Sequence, residues 1–111
     1  MPAIFKDNKL VIVPQNFPFA YAIKQFKSDH SLGDTIGIFK DKDEALKRIL
    51  NNQLDMSENG YYKYVVLFPI NEGLYSIPNP EDEKWYKWDK ENKKYITIDR
   101  PKFMENLALM L

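Results

Sequence analysis

His30 is the only histidine of the chain, and Ser28, Asp29, Ser31 and Asp34 surround it. These are the residue types of a nucleophile-base-acid relay or of a carboxylate-histidine metal site. Ser, Asp and Gly crowded between two apolar runs are equally what a hairpin loop needs, because such side chains bond their own backbone and Gly tolerates unusual φ angles. The loop reading therefore takes precedence for residues 27–34. The chain contains no Gly-x-Ser-x-Gly elbow, no histidine pair at helical spacing and no Asp-rich calcium loop. Its glycines stand singly at 33, 37, 60 and 73, so no cluster of backbone donors is freed to cradle a phosphate.

Carboxylates offer a second chemistry. Asp41, Asp43 and Glu44 are accounted for by the start of a helix, where an acid caps free amides and meets the positive end of the dipole. Glu81-Asp82-Glu83 follows Pro78 and Pro80 and reads as a solvated loop. A pair of distant carboxylates brought together by the fold would leave no local signature, so an enzyme with a dispersed carboxylate site stays open as a third reading. No metal and no cofactor is implied.

The strongest binding signal is Lys84-Trp85-Tyr86-Lys87-Trp88, continued by Lys93-Lys94-Tyr95. On a strand, Trp85 and Lys87 face one way while Tyr86 and Trp88 face the other, which predicts at least one large ring at the surface. Rings interleaved with lysines suit single-stranded nucleic acid, and Trp and Tyr suit the centre of a protein contact. Alternatively, one ring packs in the core and the other lies along lysine methylenes. A second apolar stripe runs through Phe103, Met104, Leu107, Met110 and Leu111. The candidate contact residues are thus Trp85, Tyr86, Lys87, Trp88, Tyr95, Phe103, Leu107 and Leu111.

Bulk properties narrow the partners. The 16 basic and 16 acidic side chains cancel, so no long-range field draws the protein to nucleic acid or an anionic membrane. A chain of 111 residues that is 44% hydrophobic and 29% charged should fold as one domain spanning residues 1–111, around a single core. The absence of cysteine fits a reducing compartment, and the cytoplasm is the expected location. Lys6, Asp7 and Lys9 interrupt the first apolar residues, so neither a secretory core nor a span of about twenty apolar residues is expected. Arginine occurs only at 48 and 100 against many lysines, which suggests an AT-rich coding sequence.

The elements that must position these residues are mostly strands. Residues 4–6 and 9–13 flank the turn-forming Asp7-Asn8 and read as a hairpin. Pro14 and Pro18 bracket a connection, after which residues 19–26 and 35–39 predict a second hairpin. Residues 41–54 predict the central amphipathic helix: Asp41 caps it, Glu44 completes a capping box, and Leu46, Ile49, Leu50 and Leu54 form its apolar stripe. Asp43 with Lys47 and Glu44 with Arg48 add acid-before-base pairs. Asn51, Asn52 and residues 57–60 end the helix and lead into residues 61–70, expected as a central strand whose far half is apolar on both faces. Residues 74–77 predict another strand. Residues 84–88 and 94–98 predict a hairpin around the polar tip 89–93, and Asp99 with Pro101 predicts a C-terminal helix. The fold class expected is α+β, a mainly antiparallel sheet built from hairpins with one central and one C-terminal helix.

From Thr35-Ile36-Gly37-Ile38-Phe39 through the polar Lys40-Asp41-Lys42-Asp43 to Glu44-Ala45, with Tyr61 to Tyr64 beyond, the chain resembles a type of small uncharacterised β-β-α-β domain common in phage and bacterial genomes. In that type a strand ending in Gly-(Val/Ile)-Phe meets a polar cap, a helix beginning near Glu-Ala and then a tyrosine-rich strand. The resemblance covers residues 19–77 and implies that local fold but no catalytic or binding residue.

Taken together, these readings favour a small non-enzymatic protein that binds another macromolecule, first of all one of the kind a phage or mobile element uses to inhibit or redirect a host protein. A single-stranded nucleic-acid-binding domain is the runner-up, disfavoured by the zero net charge. The apolar C-terminus leaves a homodimer open, and no membrane contact is expected.

Overall fold

The computed structural model describes residues 3–6, 9–12, 19–71, 79–105, 107 and 109. The N-terminal hairpin is present as β1 (Ala3–Lys6) paired antiparallel with β2 (Lys9–Ile12), a two-stranded ribbon separate from the main sheet. Its expected turn at Asp7-Asn8 and the connection bracketed by Pro14 and Pro18 lie outside the described residues, as does the strand expected over residues 74–77.

The second hairpin consists of β3 (Ala20–Phe26) and β4 (Leu32–Phe39). β4 starts three residues before the expected Thr35, because a tight loop already closes at Lys27, whose amide bonds Ser31 carbonyl at 3.0 Å. Lys24 pairs with Thr35 while Ile23 pairs with Gly37, so Ile36 is an extra residue, a bulge that kinks the strand, and a second irregularity follows between Lys24 and Phe26, which pairs with Leu32.

Asp41 caps α1 (Lys42–Leu50) as expected, with extended backbone and Oδ1 accepting from Asp43 N at 2.9 Å. The helix is shorter than the predicted residues 41–54. Asn52 enters the left-handed region (φ 45°), which ends the 3.6-residue repeat, and a 3-10 turn at Gln53–Asp55 follows. The inward face is consequently Ala45 and Ile49, with Leu46 half-buried, whereas Leu50 and Leu54 of the predicted stripe are exposed. Glu44 pairs outward with Lys47 (3.5 Å) and Arg48 (3.9 Å).

β5 (Tyr64–Ile70), β6 (Lys84–Asp89) and β7 (Lys94–Ile98) complete a five-stranded antiparallel sheet in the order β4-β3-β5-β6-β7. β5 is central, as its double-sided apolar pattern predicted. It begins at Tyr64 rather than Tyr61 because the amides of Tyr61 and Tyr62 bond back to Glu58 and Ser57 carbonyls. Since β4 and β5 both run antiparallel to β3, the connection through α1 crosses over β3.

Each face of the sheet has its own core. Ile23, Val65, Leu67, Tyr86, Trp88 and Tyr95 pack under Ala45 and Ile49 of α1. On the opposite face, Ala22, Phe26, Val66, Phe68 and Trp85 are covered by Met104 and Leu109. The predicted C-terminal helix is replaced there by one 3-10 turn, Lys102–Met104, and Leu107 and Leu109 have no regular secondary structure. The reason is tertiary: Leu107 N bonds Met104 carbonyl three residues back, and Leu107 carbonyl is taken by Arg100 Nη2 at 2.7 Å. The fold is α+β, with one α-helix among the described residues. None of the helices in them is long and apolar enough to cross a membrane.

Candidate functional site

The hairpin that the sequence marks for binding is core. Trp85 is 1% and Trp88 8% exposed, and Tyr86 and Tyr95 are buried with them, so the expected surface ring is not there. Both faces of β6 are covered, one by α1 and the other by the C-terminal segment, and strand alternation alone cannot reveal that. Trp85 donates from Nε1 to Glu83 at 2.8 Å, and Tyr95 donates from its hydroxyl to Tyr62 carbonyl at 2.8 Å. Burial, and secondarily the charge of Asp55, pushes the Tyr95 phenol well above its ordinary value, and burial raises Tyr86. Gly60 (φ 92°) closes over Trp88, where a Cβ would stand 2.9 Å from the indole Cδ1.

The other candidates divide. Phe103 is half-buried and joins an aromatic cluster, with ring centroids 5.7 Å from Phe26 and 5.2 Å from Tyr64. Leu107 is exposed, and Leu111 lies outside the described residues. Lys87 lines a cavity with Lys63, Lys90, Tyr61 and Trp88, but Glu58 shares it and Lys27 Nζ already stands over the Tyr61 ring at 5.9 Å. Of the rings in that cavity, Trp88 is buried and Tyr61 is exposed.

His30 packs against an aromatic neighbour. Its ring stacks on Phe103 at 4.4 Å and 11°, while Asp29 bonds the amide and hydroxyl of Ser31 at 2.9 and 2.6 Å. Those two bonds, the hydroxyl first, hold the Asp29 carboxyl below the usual range. Among the described residues no three His, Asp or Glu side chains converge as metal ligands. The one buried carboxylate of the acidic run, Glu83, is engaged by Trp85 and by Arg100 Nε at 2.9 Å.

A different site emerges on the α1 side of the β4 edge. A cleft of about 550 Å³ has Ile23, Gln25, Gly37 and Phe39 as its floor and Leu54, Met56 and Tyr62 as its walls. Asp34, Asp55 and Glu58 line it together with Arg48 and Gln53. Gly37 makes the floor, because the Phe39 ring lies where a side chain at 37 would start, 2.9 Å from a built Cβ. The bulge turns Ile36 toward the cleft, and it stays 43% exposed. Gln25, buried in β3, donates from Nε2 to Met56 carbonyl and ties the 52–58 loop to the sheet.

That loop is held in an unusual conformation. Asn52, Leu54, Asp55, Glu58 and Asn59 all have φ between 45° and 57°. Asn52 Oδ1 accepts from the buried Ser57 amide at 2.9 Å, which accounts for the first of these, since Asn tolerates left-handed backbone. Leucine does not. Yet Leu54 sits at φ 54° and is 94% exposed, a strained residue holding an apolar side chain out beside the cleft. The sequence carried two signals for this place: a leucine stranded behind Asn51-Asn52, and Ile36 flanking a strand glycine.

The chain was compared with protein-family models, with curated proteins and with solved structures, and none matches.

Proposed function

We propose that this chain is a non-enzymatic protein-binding domain that receives an extended segment of its partner along the free edge of β4. The observation that carries this reading is the position of β4. Among the described residues it is an eight-residue edge strand, Leu32–Phe39, paired on one side only. Its outer side therefore presents backbone donors and acceptors able to add another strand. Edges of this kind are usually shortened, bulged or guarded by charge; β4 has the bulge at Ile36 and the single charge of Asp34, yet it keeps eight residues and exposed Ile36 and Ile38. The cleft beside it gives side chains of an added strand a place to lodge, and Leu54 projects where it would meet them.

On this reading the aromatic hairpin supplies stability and the β4 edge supplies contact. Such a domain would act in a reducing compartment such as the cytoplasm, inhibiting or redirecting the protein it captures, and the coding bias favours a phage or mobile-element origin. The test is affinity purification from the native host with the wild-type chain and with Ile36→Thr and Leu54→Asn, each first shown to fold by circular dichroism. A protein retained by the wild type and lost by both variants supports strand addition at β4. Retention by both variants contradicts it.

A further inference from the structure

We infer that the segment received at the β4 edge is basic: an extended stretch with an apolar residue and a Lys or Arg two positions apart, facing the cleft together. This rests on the strand-addition reading above and adds the chemistry of the partner. Asp34 and Ile36, two positions apart on β4, both line the cleft. The bulge at Ile36 and the second irregularity between Lys24 and Phe26 break the regular alternation of β4, but Asp34 and Ile36 both line the cleft, so side chains of a strand laid alongside β4 that lodge beside them enter it together. The one beside Ile36 meets Ile36, the bare backbone of Gly37 and Leu54; the one beside Asp34 meets a carboxylate.

Charge fixes the sign. Asp34, Asp55 and Glu58 border the cleft, and among the described residues none of them is within ion-pair distance of a Lys or Arg. Arg48, the cation of the cleft, is already committed: Nη2 pairs with Glu44 at 3.9 Å and Nη1 donates to Gln53 Oε1. Asp55 accepts only long bonds from Asn52 Nδ2 (3.3 Å) and Ser57 Oγ (3.4 Å). Three acids around an apolar floor thus favour a cation beside an apolar anchor and repel an acidic strand.

The probes are three nine-residue fluorescein-labelled peptides, KTVTKTVTK, ETVTETVTE and TTVTTTVTT, which keep the valines in place and change only the charge beside them. Binding to the full chain is followed by fluorescence anisotropy at 50 and 500 mM NaCl, with amide hydrogen exchange reporting where each peptide sits. The expected result is that the lysine peptide protects residues 33–38 and binds at least about fivefold more tightly than the glutamate peptide at low salt. That preference should shrink at 500 mM NaCl, where screening is nearly complete beyond a few ångströms, and in the isosteric Asp34→Asn/Asp55→Asn/Glu58→Gln variant.

If the threonine or glutamate peptide protects residues 33–38 as tightly as the lysine peptide, the inferred basic chemistry is wrong while strand addition stands. If no peptide protects β4, both fail. A dimer by sedimentation equilibrium, with β4 amides already protected before peptide is added, would make a second copy the occupant and overturn the inference.

Discussion

At the scale of single residues, the most consequential side chain is one whose sequence context suggested solvent. Glu83 ends an acidic loop, yet it is buried against Trp85 Nε1 and Arg100 Nε, and Arg100 in turn holds Leu107 carbonyl. Removing it leaves a buried indole donor and a guanidinium without their acceptor. Glu83→Ala should therefore lower stability by about 3 kcal/mol, and Glu83→Gln, which keeps an acceptor, by about half that. Urea denaturation of the two variants checks both values, and the C-terminal segment should become protease-sensitive first. Tyr95 makes a prediction about pH. Its folded phenol ionises above the unfolded value of about 10, so the folded state keeps its proton longer. Its contribution to stability is then complete below pH about 10 and is lost as pH rises through the folded value. The urea midpoint should fall between pH 9 and 11 in the wild type and fall less in Tyr95→Phe, which has no proton to lose.

At the scale of elements, what could be read from the sequence was local. Asp41 announces the helix start, and Asp41→Ala should cost about 1 kcal/mol by thermal melting because Asp43 N loses its acceptor. The β-branched and aromatic runs at 20–26, 64–70, 84–89 and 94–98 announce the strands, since pleated half-buried surfaces favour those side chains. What could not be read depends on contacts distant in sequence. The helix expected after Pro101 has good propensity, but Arg100 and the sheet face under Met104 and Leu109 draw the chain into a different path. The apolar stripe expected through Leu54 fails because Asn52 turns left-handed, a choice fixed by Ser57 and by the tie from Gln25 to Met56. Leu54 itself provides the sharpest test at this scale. Since its side chain is exposed and its backbone strained, Leu54→Asn should raise stability by roughly 0.5–1 kcal/mol while weakening partner capture. A variant that is both less stable and fully competent would show that Leu54 serves the fold.

At the scale of the whole molecule, the zero net charge concealed an uneven surface. Asp34, Asp55 and Glu58 gather at the β4 cleft, and Lys63, Lys87 and Lys90 gather around a cavity at the β5-β6 end. The two large indoles lie in the two cores, one on each face of the sheet. No sequence periodicity distinguishes a covered sheet face from an open one, so the burial of the aromatic hairpin could not be read from its residues. The measurement that bears most directly on this account is amide hydrogen exchange on the chain with a captured partner bound. Slowed exchange over residues 33–38 and 53–58, with residues 84–98 unchanged, is the predicted result. Slowing confined to residues 84–98 or to α1, with β4 exchanging as in the free chain, would contradict it.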